Sequence, residues 1–405
     1  MDLVVYFLWL LFLLPQICII SFLVQPLVLL LISVFNRIFR AGKPALDKSK
    51  TEKNYRFGII ITAHKDVSLL PPIVDSILKQ TYQHFNAYIV ADDCDVNQIP
   101  DFKDRRINVL KPAVALHSNT KSIDYALQHF NDEEVMVIFD PDNLVQARFL
   151  EVLNIYYNKG FEAVQGNLQP KNTQNIYEKI DTVGMVFYNF IDRDVRSQLN
   201  LSVSIWGCGI SVKTKIYKAF KYTDKSINGG FDKSLQAQLA KKVKIGYAKE
   251  AILYDEKISD GKSLEKQRIR WINSYFKFLS EGFSVLLTGI KKMDFNLTYF
   301  GYNLIRPPYF LLILIAGFFI VLDFFVATHL VPFWLLALAL FFITILAIVL
   351  IKRDKAALSG LLFIKLFFYH QLRSLFRLKL NKYSILKTKN HNVIYIEELQ
   401  PYEKL

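Results

Sequence analysis

The stretch Glu134-Val-Met-Val-Ile-Phe-Asp140, running on into Pro141-Asp142-Asn143 (EVMVIFDPDN, 134–143), decides the fold. A short run of apolar and β-branched residues that stops abruptly at polar ones reads as a strand buried on both faces, the kind found in parallel α/β sheets. Four further runs have the same character: FGIIITA (57–63), NAYIVADD (86–93), INVL (107–110) and EAVQGNL (162–168). Helical patterns fit 71–80, 119–130, 146–158 and 172–199 between and after them. The alternation predicts an α/β sheet with helices on both faces from Tyr55 to about Gly282. Open sheets of this class bind ligands at the carboxyl ends of their strands, and Asp92, Asp93, Asp140 and Asp142 all fall at such ends.

Either side of this middle the chain is far more apolar. Residues 3–35 contain no charged side chain, and as helix they extend about 50 Å against a hydrocarbon core of about 30 Å. One crossing fits with length to spare. A signal peptide is disfavoured by the length and by the lack of a small-residue cleavage site, whereas Pro15 and Pro26 leave a hairpin of two short crossings as an alternative. Pro307–Ile351 has Asp323 as its only formal charge and is long enough for two crossings that turn near His329 to Pro332, with Asp323 expected near the far interface. Basic residues crowd the ends of these segments: Arg37, Arg40, Lys43, Lys48 and Lys50, then Lys291, Lys292 and Arg306, then Lys352, Arg353 and Lys355. The positive-inside rule places the middle of the chain and the C-terminus in the cytoplasm.

Residues 357–380 set Lys365, Arg373, Arg377 and Lys379 against Leu362, Phe367, Leu372 and Phe376 at helical spacing. This pattern predicts a helix in the headgroup layer, with an amphipathic helix packed on the α/β domain as the alternative; 274–290 reads similarly. The expected division is 1–40, an N-terminal transmembrane helix; 41–285, the α/β domain; 286–306, an interfacial connection; 307–355, two transmembrane helices; and 356–405, an interfacial helix and cytoplasmic tail.

Composition agrees with a membrane protein. Of 405 residues 52% are hydrophobic and the mean hydropathy is +0.22, which excludes disorder and fibrous repeats. Fifty Lys and Arg against thirty-six Asp and Glu leave a net charge of +14, suited to nucleic acid, an anionic bilayer or a polyphosphate. Because that charge concentrates beside the membrane segments, a nucleic-acid partner is disfavoured. Cys18, Cys94 and Cys208 lie too far apart for a CxxC knuckle or a disulfide framework, as suits a reducing cytoplasm.

Three features carry chemistry. Asp140 and Asp142 leave a strand two residues apart, where at least one reaches a divalent cation; Mg2+ and Mn2+ take oxygen ligands, often one or two carboxylates plus substrate phosphates. An ordinary acidic surface turn is the alternative. Asp92-Asp93 closes another strand, and Lys121 follows at a helix start, so the pair can receive a nucleobase or ribose and the lysine can face phosphate; a capped turn with a solvated lysine is the competing reading. Last comes Gln267-Arg268-Ile269-Arg270-Trp271 on a helix, preceded by Asp232 in GGFDKSLQAQL. Gln267, Arg270 and Trp271 share one helical face that offers an amide, a guanidinium and an indole to a diphosphate and a sugar ring. The same residues also suit a headgroup-level helix.

In this order, these motifs resemble the membrane-bound, processive family 2 glycosyltransferases, the cellulose and hyaluronan synthases among them. The likeness covers roughly 55–285, and QRIRW, matching the family's Q(Q/R)xRW, is its most specific part. The resemblance implies a GT-A nucleotide-sugar-binding domain with a mixed, mainly parallel sheet, joined to helical transmembrane segments. It implies that Asp92 and Asp93 hold the uridine end of a UDP-sugar and Lys121 its phosphate side. Asp140 and Asp142 match the metal and diphosphate motif, and Trp206-Gly207-Cys208-Gly209 the acceptor site. Asp232 matches the general base, and Gln267, Arg268, Arg270 and Trp271 the diphosphate and acceptor grip. The chain departs from the family at Gly230-Phe231, where relatives carry Thr-Glu, and at His64-Lys65, where they carry Asn-Glu.

The expected activity is an inverting, metal-dependent transfer from a nucleotide sugar to a polysaccharide or lipid-linked acceptor at the cytoplasmic face, in exopolysaccharide or cell-envelope glycan synthesis. Three crossings are few for a closed polymer channel unless subunits associate or an export partner joins. The alternatives are a single-addition transferase acting on a lipid carrier or glycolipid, and a non-catalytic nucleotide-binding membrane scaffold or transport component.

Overall fold

The computed structural model describes residues 3–39, 52–220, 230–377 and 393–399. Eight strands form one sheet: β1 Phe57–His64, β2 Phe85–Asp92, β3 Ile107–Leu110, β4 Val135–Phe139, β5 Leu144–Val145, β6 Ala163–Pro170, β7 Ile210–Lys213 and β8 Ile245–Asp255, in the spatial order β3-β2-β1-β4-β7-β6-β8-β5. Pairing is parallel among β3, β2, β1 and β4 and between β6 and β8. β7 runs antiparallel between β4 and β6, and β5 antiparallel to β8, so the sheet is mixed.

Alternate residues of each strand feed two cores. Phe57, Ile59 and Ile61 pack with the helices Leu70–Leu78 and Phe149–Asn158. Ile60, Tyr88, Met136 and Ile138 face the opposite layer, made by Asn119–Gln128 and Phe231–Lys242. All five expected strands are present to within two residues at either end. The others escaped because β5 and β7 are very short, and β8 carries exposed Lys249 and Glu250 at an irregularity opposite Gly166 and Asn167 that breaks its apolar run. The helix expected over 172–199 begins at Ile176, where Asn175 and Glu178 form a capping box, and widens to a π-turn at Phe190–Asp194 before ending at Gln198.

Among the described residues three helices are long and apolar enough to cross a membrane: Val5–Phe39, Tyr309–Val326 and Thr328–Lys352. The first is part of a single helix, Leu3–Phe39, with both prolines inside it, which removes the hairpin alternative. Asp323 is fully buried, three residues from the end of the helix Tyr309–Val326. Gln16 Nε2 donates to its Oδ1 (3.2 Å) and Trp334 Nε1 to its Oδ2 (2.8 Å), one polar contact shared by all three helices. An acid among apolar helices is tolerated only with such donors.

The segment 286–306 is no loose connection. Gly261–Lys291 is one 31-residue helix, which absorbs 274–290, and it folds back on Phe295–Ile305. A Cβ at Gly289 would meet the Thr298 nitrogen at 2.4 Å, and one at Gly301 the Leu286 nitrogen at 2.3 Å, so the two backbones touch where only glycine fits. The C-terminal region also differs from expectation. It breaks into Lys355–Leu361 and Ile364–Phe376, and its second helix packs on the long helix, whose Glu265 contacts His370 Nδ1 (2.9 Å), Arg373 Nε (3.4 Å) and Arg377 Nη1 (2.6 Å). Leu362 and Phe376 point outward. Arg40, Lys43, Lys48, Lys50 and Lys379 lie outside the described residues.

The α/β domain meets the apolar helices at a buried ionic knot. Asp192, on the π-turn, accepts from Arg196 (2.9 Å) and Arg306 (2.8 Å), and Arg306 also donates to Gln25 Oε1 of the first helix (3.1 Å). Burial alone would raise the Asp192 pKa, but Arg306, Arg196 and Arg193 outweigh it and hold the carboxyl low. Asp192→Ala leaves two buried guanidiniums without their acid and should lower the thermal midpoint of the detergent-solubilised protein by roughly 5–10 °C. An unchanged midpoint in differential scanning fluorimetry would show that the knot does not hold the two parts together.

Candidate active site

β4 stops at Phe139 because the next residues build a closed turn. The Asp140 N–H donates to Asn143 Oδ1 (3.0 Å), the Asn143 N–H returns to the Asp140 carbonyl (3.1 Å), and Asn143 Nδ2 reaches Asp255 Oδ1 (3.3 Å). β5 pairs with β8 just beyond, placing Asp255 beside the turn. Asp255 is held in turn by Lys257 Nζ (2.8 Å), and Lys171 Nζ donates to the Asp142 carbonyl (3.3 Å). Asp140 and Asp142 remain partly exposed although closely surrounded, so solvent reaches both.

Charge crowding perturbs these groups. Burial, then Asp255 and Asp232, push the Asp140 carboxyl up to about 6, with Arg270 opposing. Burial and then Asp255, Asp140 and Glu256 push Asp142 up, with Lys171 opposing. Continuing the β4–β7 register by two residues sets Cys208 across from Asp140; burial, then Asp140, raises its thiol well above the ordinary value. The structure therefore gathers Asp140, Asp142, Asp232, Arg270 and Cys208 into one electrostatic neighbourhood.

Asp232 arrives there through a tight packing contact. It is the second residue of the helix Phe231–Lys242, which starts from Gly230 at φ 77°, and a Cβ on Gly230 would lie 2.5 Å from Ser274 Oγ. Ser274 lies on the same face of the long helix as Gln267, Arg270 and Trp271. Among the described residues, Gln267 Oε1 and Ser274 Oγ are buried polar atoms with no hydrogen-bond partner, and Arg270 and Trp271 are exposed.

Arg268 departs from expectation. A helical step of one residue turns it away from Gln267 and Arg270, and it is buried, bonded to Asp181 Oδ1 (2.7 Å) with its guanidinium 4.1 Å from the Trp271 ring centre. It backs the tryptophan and is not presented to a diphosphate. Trp206 is backed in the same way by Arg193 at 4.1 Å, and its loop is pinned by Gln165, which accepts from the Trp206 N–H (2.8 Å) and donates to the Cys208 carbonyl (3.1 Å).

Asp92 and Asp93 sit two strands from β4, at the end of β2, and have different situations. Asp92 is buried and its carboxylate is used internally, accepting from the N–H groups of Leu116 (2.6 Å) and His117 (2.8 Å). Asp92 therefore has a structural task in place of the expected nucleoside contact. Asp93 is exposed and pairs with Lys65 (3.3 Å); Lys121, on the first turn of Asn119–Gln128, is also exposed. Asp255, Lys257, Lys171, Asn143 and Gln165 were not anticipated. Tyr254-Asp255-Glu256-Lys257 repeats the pattern of an apolar strand ending in acid that marked Asp140, and that signal was available once β8 was seen.

The family model described as Glycosyltransferase like family 2 matches residues 55–274, more than half of the chain. The chain belongs to glycosyltransferase family 2. No curated protein matches it significantly. Among solved structures, this family 2 glycosyltransferase is similar to the mannosyltransferase PcManGT of Pyrobaculum calidifontis, a complex with GDP-Man and Mn2+, at 13% identity and TM-score 0.48 over 85% of this chain and 98% of that one. S. aureus TarS 1-349 is similar at 14% identity and TM-score 0.41, over 80% of this chain and 91% of that one. The same TarS fragment in complex with UDP gives 13% identity and TM-score 0.38, over 72% and 90%. The domain is a mixed α/β sheet with helices on both faces, and the protein is a glycosyltransferase of family 2 type.

A carboxyl whose folded pKa exceeds its unfolded value of about 3.9 adds stability in acid and loses it as pH rises through the folded value. The metal-free protein should therefore soften between pH 4 and about 6 on account of Asp140. Asp140→Asn should remove that slope and raise the chelator-treated midpoint at pH 7.5 by about 5 °C. A variant that melts at or below wild type there would show that Asp140 is not strained by its neighbours.

Proposed function

We propose that the enzyme transfers a sugar, with inversion at the anomeric carbon, from a nucleoside diphosphate sugar, UDP-linked, to a hydroxyl of a saccharide or lipid-linked acceptor at the cytoplasmic face of a membrane. The observation that carries this reading is the gathering of Asp142, Asp232 and Arg270 around Asp140, from three separate stretches of chain.

Asp232 accepts the proton of the attacking hydroxyl as the new glycosidic bond forms. Arg270 faces the diphosphate and offsets its growing charge, and Gln267, with its unpartnered carbonyl oxygen, accepts from and orients a neighbouring sugar hydroxyl. The residues present fit a hard divalent ion: two partly exposed carboxylates, with proton affinities raised by burial and then by like charge, form a site short of positive charge. Asp140 and Asp142 would hold Mg2+ or Mn2+, which when bound neutralises the leaving diphosphate. Asp93 and Lys121 serve the nucleoside and phosphate ends, on the exposed side of β2 and of the neighbouring helix.

Trp271 and Trp206 each carry an arginine on one ring face and offer the other to a pyranose, and Cys208, two residues after Trp206, belongs to the same acceptor segment. Within this chemistry the membrane helices favour single addition to a lipid-linked acceptor over polymer export. The space between them is filled by Trp334, Leu312 and Phe341, and Phe319 stacks on Trp334 at 5.3 Å.

Asp232→Asn should reduce transfer by about 10²–10⁴-fold while donor binding persists. Membranes supplied with radiolabelled UDP- and GDP-sugars plus Mn2+, followed by sizing of the labelled product, read both the rate and the product length. Turnover of the Asn variant at the wild-type rate would dismiss Asp232 as the base. Donor binding without transfer or hydrolysis across the panel would favour the non-catalytic scaffold.

A further inference from the structure

We propose a second metal site, built from His64, Asp93 and His117, that takes a borderline transition ion such as Zn2+ at the nucleoside end of the sheet edge. One ring nitrogen from each histidine and a carboxylate oxygen of Asp93 lie within 4.8 Å of one another. The imidazoles meet edge to face, 5.2 Å between centres. Tetrahedral ligands at about 2.1 Å stand roughly 3.4 Å apart, so small side-chain rotations close the set, and Asp93 and His117 are exposed and able to make them.

Asp92 organises the surroundings. Its Oδ2 lies 3.1 Å from His64 Nδ1 and accepts the His117 N–H, so a single buried carboxylate orients one imidazole and anchors the backbone of the other. With Nδ1–H directed at Asp92, the lone pair of His64 sits on Nε2. A carboxylate behind a metal-binding histidine is the usual outer partner that fixes its tautomer and raises its basicity. The backbone is bent to suit as well: Lys65, Asp93 and His117 all adopt left-handed φ, at 67°, 53° and 49°, half of the non-glycine residues that do so.

Two imidazoles and one carboxylate select Zn2+ or a similar ion over Mg2+ or Mn2+, which separates this site chemically from the carboxylates at β4. Lys65 supplies the positive charge beside Asp93 when no ion is bound, and the ion would displace it. Three protein donors leave coordination positions for water or a donor oxygen. The bound ion would tie the segments after β1 and β2 to the one before the helix Asn119–Gln128.

The test uses full-length protein in detergent, stripped with chelator and titrated with Co2+ and then Zn2+, read by visible absorption and equilibrium dialysis without any sugar donor. One equivalent of Co2+ should develop the absorption of an imidazole-bound ion, displaced by Zn2+. His117→Asn, whose new residue tolerates the left-handed backbone, and His64→Gln should weaken uptake at least about tenfold. Asp142→Asn should leave this absorption intact, so loss here and loss at β4 are separable. Equal uptake by wild type and both histidine variants, or uptake removed by Asp142→Asn alone, would overturn the proposal.

Discussion

Carboxylates converging on one edge of a sheet need an opposite charge, and the architecture around β4 and β8 is a response to that need. Asp140, Asp142, Asp255 and Asp232 reach the same neighbourhood from distant parts of the chain, and burial makes their mutual repulsion expensive. Lys257 is committed to Asp255, Lys171 touches the backbone of Asp142, and Arg270 opposes the charge on Asp140 from the long helix. Those cations leave Asp140 and Asp142 with raised proton affinity. A folded protein that keeps such strain where solvent reaches is storing it where a ligand can relieve it.

The long helix Gly261–Lys291 links this edge to the apolar helices. It presents Gln267, Arg270 and Trp271 near its start, contacts Gly230 through Ser274, and ends in a glycine-tight hairpin with Phe295–Ile305. Tyr299, Tyr302 and Asn303 of that second helix bond to Gln25 and Ser21 of the first apolar helix, and Arg306 closes the knot with Asp192. Displacing the apolar helices therefore moves the face that carries Arg270. Nothing in this coupling depends on propensity; it is packing and buried polar contact, which sequence patterns read poorly.

What was legible follows the same division. β1, β2 and β4 were plain because both their faces are buried and their residues are apolar throughout, and the acidic residues that close β2 and β4 stood out against that background. β8 was not, since Lys249 and Glu250 interrupt its centre, and with it went Asp255 and Lys257. Gln267, Arg268 and Arg270 could not be sorted from spacing alone. Helical geometry says that Arg268 points elsewhere, but only the position of Asp181, on another helix, says which direction is the interior. Asp92 and Asp93 pose the same difficulty in a strand end: adjacent carboxylates look alike until the Leu116 and His117 amides claim one of them.

The glycine two residues before Asp232 has a physical reason in the packing. Gly230 holds φ 77° and has no room for a Cβ, because Ser274 and Phe278 of the long helix lie at 2.5 and 2.7 Å from where it would be. Threonine would be strained by the backbone angle and would clash as well. The glycine instead lets the helix Phe231–Lys242 start against the helix that bears Arg270, with Phe231 buried in the core below it. Asp232 is thereby brought close enough to Asp140 to raise its proton affinity.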